Sequence, residues 1–152
     1  MPTVRVEETV EVARDAVFAV LTDHEGYGRF PGVQKCELLR PGRDERNGLG
    51  ALRRVHLGVP TVLDEEIVAY DAPRSFEYRV VRARPLPVKH TLGRIELEAL
   101  SANRTKVVWT STFEIPLPII GKAISRRAAV QFTRAFGATI RTAAALAAKQ
   151  AA

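Results

Sequence analysis

Two charged residues of this chain stand where a charge could do chemistry. Arg53 lies in the stretch GALRRV and Glu65 in LDEEIV, each among apolar residues at alternate positions. If these stretches are neighbouring β-strands, both side chains point to an apolar face, where a charge needs a partner. Arg53 then binds an acidic group of a ligand or pairs with Glu65, and the internal pair is the favoured prediction.

Four further side chains could offer a polar atom to an apolar pocket. Tyr78 and Trp109 lie in alternating apolar patterns, which predict a buried face that is either core or pocket wall. Ser111 shares the predicted face of Trp109. His90 begins a predicted strand and could serve as a general acid or base near neutral pH. Each of these residues also has an ordinary structural role available, so the pattern identifies no catalytic group.

The glycine-rich stretch GYGRFPG, residues 26–32, could be taken for a phosphate-binding loop. Its glycines partly match the dinucleotide fingerprint Gly-x-Gly-x-x-Gly, but the third glycine is displaced by one position. That fingerprint also follows a parallel strand and opens a helix, whereas this stretch follows a predicted helix and precedes an antiparallel strand. The order of elements therefore argues against nucleotide binding.

Composition argues against several other kinds of site. The chain has one cysteine, Cys36, and three scattered histidines, so no zinc or iron ligand spacing is present. No Gly-x-Ser-x-Gly elbow or Walker loop occurs. We therefore predict neither a metal nor a cofactor.

The formal charge of +6 favours polyanions only weakly. Arg127, Arg134 and Arg141 repeat every seven residues and could contact RNA or an anionic membrane surface, although such a stripe is usually the solvated face of a helix. DNA binding is not expected. No apolar run approaches the roughly 18 residues that would span a bilayer, and the first residues lack a signal-peptide core, so a cytoplasmic protein is expected.

The elements that must position these residues are those of one α+β domain. With 152 residues and 46% hydrophobic content, the chain can bury a core. Alternation predicts a first strand over residues 3–10, and helical spacing predicts two short helices near residues 15–21 and 25–30. Six strands are then predicted at residues 33–39, 51–59, 62–70, 76–82, 91–100 and 106–115, and their short connections imply an antiparallel meander.

A long helix is predicted from about residue 120 to 150. Its apolar residues recur every three or four positions and form one stripe, made of Ile124, Ala128, Phe132, Phe136, Ile140 and Ala144. A helix of this length, on the order of 45 Å at about 1.5 Å per residue, must cross several strands to be covered.

Five stretches in this order resemble the polyketide cyclase/dehydrase group of the SRPBCC superfamily, whose fold is the helix grip. They are VFAVLTDHEGYGRFPGV (17–33), GLGALRRV (48–55), DEEIVAYDAPRSFEYRV (64–80), HTLGRIEL (90–97) and TKVVWTSTFEI (105–115). The resemblance covers nearly the whole chain. It implies a seven-stranded curved antiparallel sheet around a long C-terminal helix, with two short helices after the first strand and an internal cavity.

The resemblance also implies a function, namely non-covalent binding of a hydrophobic or aromatic small molecule or lipid. The residues expected to line or border the cavity are Phe18, Tyr27, Phe30, Arg53, Glu65, Tyr78, Trp109, Phe132 and Phe136. Within the family the segment of Tyr27 and Phe30 is a lid or rim over the ligand. The alternative is that both rings permanently plug the open end of the sheet.

Two other functions stay open. The first is a cofactor-free polyketide aromatase, cyclase or dehydratase, in which Arg53 stabilises an enolate and Glu65, Tyr78 or His90 moves the proton. The second is an interaction module that uses the basic face of the C-terminal helix.

Overall fold

The computed structural model describes residues 1–58 and 60–151 and contains the predicted elements in the predicted order. The strands are β1 Thr3–Val10, β2 Lys35–Arg40, β3 Leu52–His56, β4 Val62–Asp71, β5 Ser75–Arg84, β6 Lys89–Ser101 and β7 Arg104–Glu114. The helices are α1 Arg14–Leu21, a 3₁₀ helix His24–Arg29 and α2 Gly121–Ala151. The strand predicted for residues 51–59 ends at His56, and residue 59 lies outside the described residues.

All seven strands form one antiparallel sheet in the order β1-β7-β6-β5-β4-β3-β2. The six strands predicted as a meander are therefore neighbours in chain order, as expected from their short connections. The first strand pairs with the last, with Val6 opposite Trp109. The prediction of a helix-grip fold, a curved antiparallel sheet around a long C-terminal helix, is confirmed.

Alternation along the strands decides which side chains face inward. On β7 every second residue from Thr105 to Ile115 is buried, and the residues between them are partly exposed. The same alternation buries Arg53 between Ala51 and Val55 on β3. A polar or charged residue at an inward position is thus carried into the interior by its neighbours.

Helix α2 is used differently along its length. Its second half is packed tightly against β1 and α1, and Ile140, Ala143 and Ala147 are fully buried there. In the first half the apolar residues are only partly buried, as at Phe132 and Phe136. The predicted stripe therefore lies on one face of the helix. Its second half belongs to the close-packed core, whereas its first half packs against that core only in part.

Strand pairing brings several connections to the same end of the sheet, which we call the mouth end. His56 at the end of β3 lies opposite Lys35, Val62 at the start of β4 lies opposite Arg84, and Lys89 lies opposite Glu114. The β3–β4, β5–β6 and β7–α2 connections consequently lie together. The β4–β5 turn lies at the other end.

Candidate functional site

The most prominent feature of the interior is a cavity of about 750 Å³ between the concave face of the sheet and the first half of α2. Strands β3 to β7 supply one wall, and α2 supplies the other through Ile124, Ala128, Phe132 and Phe136. Most of the lining side chains are apolar. This size lies within the range of about 300–1,000 Å³ that is typical of small-molecule sites.

The cavity reaches the surface at the mouth end. Its rim includes Pro31 and Gly32 after the 3₁₀ helix, Pro60 in the β3–β4 connection, and Leu86 in the β5–β6 connection. Arg127 of α2 completes the rim with a positive charge. A ligand can therefore enter between loops without opening the sheet.

Eight of the nine residues expected at the cavity lie on its wall. They are Tyr27, Phe30, Arg53, Glu65, Tyr78, Trp109, Phe132 and Phe136. Phe18 does not, and this part of the prediction is corrected. Its ring packs 5.6 Å from that of Tyr70 and 6.0 Å from that of Phe76, close to the β4–β5 turn at the end of the sheet away from the mouth.

The two charged residues on neighbouring strands, Arg53 and Glu65, form an internal pair. Arg53 and Glu65 are directly opposite each other on β3 and β4. Glu65 Oε1 accepts a hydrogen bond from Arg53 Nε at 2.9 Å, and Arg53 Nη2 lies 2.8 Å from the same oxygen in an ion pair. Both side chains are buried, and Arg53 is 1% exposed. Adjacent strands thus bring together two charges that neutralise each other in the cavity wall.

A third polar residue, His24, completes this cluster and was not identified from the sequence. The imidazole is fully buried; its Nδ1 accepts a hydrogen bond from Arg53 Nη1 at 3.0 Å, and its Nε2 donates to the Asn47 carbonyl at 2.9 Å. Because a guanidinium can only donate, these contacts fix the neutral Nε2–H tautomer. Burial, with the positive charge of Arg53 beside it, lowers the pKa of His24 to about 3.

The aromatic residues in and directly after the 3₁₀ helix, Tyr27 and Phe30, are held by packing and a hydrogen bond. The ring of Tyr27 lies under the guanidinium of Arg53, 4.5 Å from its carbon, and the Tyr27 hydroxyl donates to the carbonyl of Leu21. Phe30 packs edge-on against Tyr27, with ring centroids 4.8 Å apart, and both residues are buried. Of the two alternatives for this segment, the geometry favours a permanent wall that closes one side of the cavity.

Tyr78 and Trp109 form an ordered aromatic unit on the sheet side of the cavity. Trp109 Nε1–H donates to the Tyr78 hydroxyl at 2.8 Å, and the Trp109 ring stacks on Phe136 of α2 at 4.0 Å. Among the described residues, no acceptor is found for the proton of the Tyr78 hydroxyl. That proton is consequently available to a ligand.

His90 lies beside this unit, with its ring stacked on Tyr78 at 5.5 Å. Its Nδ1 accepts from the backbone N–H of Val80 at 3.1 Å, so its Nε2–H donates to the Ser111 hydroxyl at 3.2 Å. Burial lowers the pKa of His90 to about 4, and the positive charge of Arg79 contributes. The histidine is therefore neutral and engaged at both nitrogens, and it orients the Ser111 hydroxyl at the cavity wall.

The position of Tyr78 depends on Gly93, its cross-strand partner on β6. A β-carbon built on Gly93 would overlap the Tyr78 ring, which lies flat over the glycine. We expect Gly93→Ala to push Tyr78 away from Trp109 and to lower the free energy of unfolding by about 1–3 kcal/mol, as other overpacked cores do. Urea denaturation measures this change.

The test of this contact is a double-mutant cycle. In a Tyr78→Leu background the added methyl group meets no ring, so Gly93→Ala should then cost less than about half its effect in the native chain. An equal cost in both backgrounds would assign the effect to β6 itself and contradict the proposed contact.

The arginine stripe of α2 does not act as one surface. Arg127 lies at the cavity rim, Arg134 is exposed, and Arg141 pairs with Glu8 of β1. The three arginines are spaced by seven residues as predicted, but because α2 is long, each lies beside a different part of the molecule.

The remaining observations concern metals and membrane spans. Within residues 1–58 and 60–151, no group of three or more His, Cys, Asp or Glu is arranged to hold a metal ion. In the same residues, no helix is both long and apolar enough to cross a membrane.

Comparisons with known proteins agree with this geometry. A family model described as "Polyketide cyclase / dehydrase and lipid transport" matches residues 1–149, and no protein with a curated description matches the chain. Among solved structures, the Zhui aromatase/cyclase from Streptomyces sp. R1128 is 24% identical, with a TM-score of 0.76 over 99% of this chain and 96% of its own.

Two further solved structures share the fold at lower identity. A START superfamily protein from Mycobacterium smegmatis is 15% identical, with a TM-score of 0.75 over 95% of this chain and 98% of its own. Ara h 8.0201 is 16% identical, with a TM-score of 0.70 over 97% of this chain and 98% of its own. At these identities the likeness establishes the fold alone.

Proposed function

Since the chain belongs to the polyketide cyclase/dehydrase and lipid transport family, we propose that it binds a hydrophobic or aromatic small molecule non-covalently in its internal cavity. The observation that carries this proposal is the cavity of about 750 Å³, lined mainly by apolar side chains and reaching the surface at the mouth end. An apolar pocket with few polar groups gives affinity through buried area and orientation through those groups.

The polar groups on the wall indicate what part of a ligand they would orient. The Tyr78 and Ser111 hydroxyls are held from one side by Trp109 and His90, respectively, and each has a proton left to donate. The charge of Arg53 is already neutralised by Glu65. The wall therefore suits an uncharged oxygen acceptor, such as a ketone or phenol, on an otherwise apolar ligand.

Trp109 provides a direct test because it is the only tryptophan of the chain and lines the cavity. We expect its fluorescence to change saturably on titration with at least one class from a panel of fatty acids, sterols, flavonoids and aromatic polyketides. Ala128→Phe projects a ring into the cavity from α2 and should weaken that binding at least 10-fold, because the ligand and the ring compete for one volume.

The matched control is Ala145→Phe, which adds the same ring at an exposed position later on the same helix. It should leave the affinity unchanged. Absence of a saturable response to every class would overturn the proposal, as would equal effects of the two substitutions.

A second candidate function is catalysis as a cofactor-free aromatase or cyclase. The name of the Streptomyces protein describes that protein as an aromatase/cyclase. The observation that favours it is the adjacency of Tyr78, His90 and Ser111 on one wall, where a folded poly-ketone could exchange protons with hydroxyl groups. Mass spectrometry of an added poly-β-ketone distinguishes the two functions. Formation of an aromatic product that Tyr78→Phe abolishes supports catalysis, and recovery of unchanged ketone supports binding alone.

A further inference from the structure

The formal net charge of this protein comes from the last quarter of its sequence. Residues 1–114 hold 17 of the 23 lysines and arginines and all 17 aspartates and glutamates, so this part is formally neutral. Residues 115–152 hold the other six cations and no acidic residue, and so carry the whole formal charge of +6. Nearly all of this segment is the C-terminal helix α2.

Three of these cations lie in the first two turns of α2, at Lys122, Arg126 and Arg127. None of the three forms an ion pair with a carboxylate among the residues that the structure describes, and all three are exposed. Cations near a helix N-terminus are opposed by the positive end of the helix dipole. The placement of Lys122, in the first turn, is therefore unfavourable in the isolated protein and becomes favourable beside an anion.

An apolar tip precedes these cations. Ile119 is fully exposed and Ile120 is 54% exposed, immediately before the first residue of α2. Ile119 has a φ of 70°, in the left-handed region that β-branched residues avoid. The loop nevertheless is held in place, since the N–H of Ile115 donates to Ser125 Oγ at 2.9 Å and the N–H of Gly121 donates to the Leu117 carbonyl at 3.0 Å.

The tip and its cations belong to the mouth end. The β7–α2 connection runs between Ile115 and Ile124, which both line the cavity, and Arg127 lies on the rim. The exposed Leu86 projects from the neighbouring β5–β6 connection. An apolar tip, a group of exposed cations and the entrance of the cavity thus share one end of the molecule.

From this arrangement we propose that the mouth end docks on an anionic lipid bilayer, with Ile119 and Ile120 inserted at the boundary of headgroups and acyl chains. Exposed aliphatic side chains surrounded by basic residues match such a surface, because insertion and electrostatic attraction act together. RNA fits less well, since recognition of unpaired bases uses aromatic stacking and residues 116–127 contain no aromatic residue. Docking in this orientation would present the cavity to the membrane.

The test compares sedimentation of the protein with phosphatidylcholine vesicles and with vesicles that also contain phosphatidylserine. We expect binding only to the second kind, weakened by added salt. Lys122→Gln with Arg126→Gln should weaken this binding about 30-fold, the value that follows from about 1 kcal/mol per basic residue near an anionic surface. Neither residue lines the cavity.

The control for net charge is Arg134→Gln with Lys149→Gln, two exposed cations further along α2. It removes the same charge and should change vesicle binding less than about 3-fold. Equal weakening by both pairs would mean that charge acts without regard to position and would overturn the proposal. Binding to a single-stranded RNA oligonucleotide that exceeds vesicle binding would overturn it too.

The role of the tip is tested with Ile119→Gly, which removes the apolar side chain and suits the positive φ. We expect the Tm to rise by about 3 °C through relief of strain, while binding to phosphatidylserine vesicles falls about 10-fold or more through loss of a buried aliphatic side chain. Unchanged vesicle binding would contradict insertion. Ligand titration of Trp109 without vesicles is expected to be unaffected, so the docking and the cavity can fail independently.

Discussion

Glu65→Gln is expected to lower the free energy of unfolding by about 3 kcal/mol, although the substitution changes a single atom type. The carboxylate is the only negative charge that contacts the buried Arg53 guanidinium among the described residues. Breaking a buried pair from one side leaves the other charge uncompensated in a poorly polar environment, which commonly costs about 3–5 kcal/mol. Urea denaturation monitored by Trp109 fluorescence measures the change.

The matched control is Glu66→Gln, at the next position on the same strand. Glu66 pairs with Arg40 at 2.8 Å, but their side chains are 36% and 53% exposed, so the loss should stay below about 1 kcal/mol. The double substitution Arg53→Met with Glu65→Leu removes both charges and should recover most of the stability lost by Glu65→Gln. A double variant no more stable than Glu65→Gln would contradict this account of the pair.

The second large effect is an acid sensitivity that begins above the range of carboxylate titration. Lowering the pH from 7 to 5 is expected to lower the free energy of unfolding by about 3 kcal/mol. Burial lowers the pKa of His24 to about 3 and that of His90 to about 4, whereas both titrate near 6.5 in the unfolded chain. Below pH 6.5 the two histidines are therefore protonated in the unfolded chain but stay neutral in the folded protein. The free energy of unfolding consequently falls as the pH falls.

The two histidines contribute unequally to this loss. At pH 5 the fully buried His24 accounts for about 2 kcal/mol, at 1.36 kcal/mol per pH unit below 6.5, and the partly exposed His90 accounts for less. Urea denaturation at half-unit steps of pH measures the slope. This slope gives the number of protons taken up on unfolding, and His24→Gln and His90→Gln should each lower that number by about one. A free energy of unfolding that does not change between pH 7 and 5 would refute the prediction.

Periodicity and turn residues predicted the architecture closely, because each strand shows its buried face through alternation. The inward residues of β7 could be read directly from TKVVWTSTFEI. The pairing of Arg53 with Glu65 was the favoured of two alternatives, because inward charges on adjacent strands can neutralise each other. These features depend on local patterns and on neighbouring elements. Local patterns are what a single sequence records best.

The features that escaped prediction depend on contacts across long stretches of chain. His24 contacts Arg53, 29 residues later, and the carbonyl of Asn47, and no local pattern distinguishes it from the other histidines. Phe18 was expected to line or border the cavity from the family resemblance, but its ring packs against Tyr70, and that direction is set by helix packing. The volume left between sheet and helix is a difference between packed surfaces and has no signature in the sequence.

The unequal packing of α2 also bears on how this protein can evolve. The half that contacts β1 and α1 is filled with Ile140, Ala143, Ala144 and Ala147 and contributes to the stability of the fold, whereas the half that contains Ala128, Phe132 and Phe136 faces empty volume. Substitutions in the first half change the shape of the cavity and disturb fewer fully buried side chains, although Phe136 stacks on the buried Trp109. The shape of the cavity can thus change one helical turn at a time while most of the stability of the fold is retained in the second half.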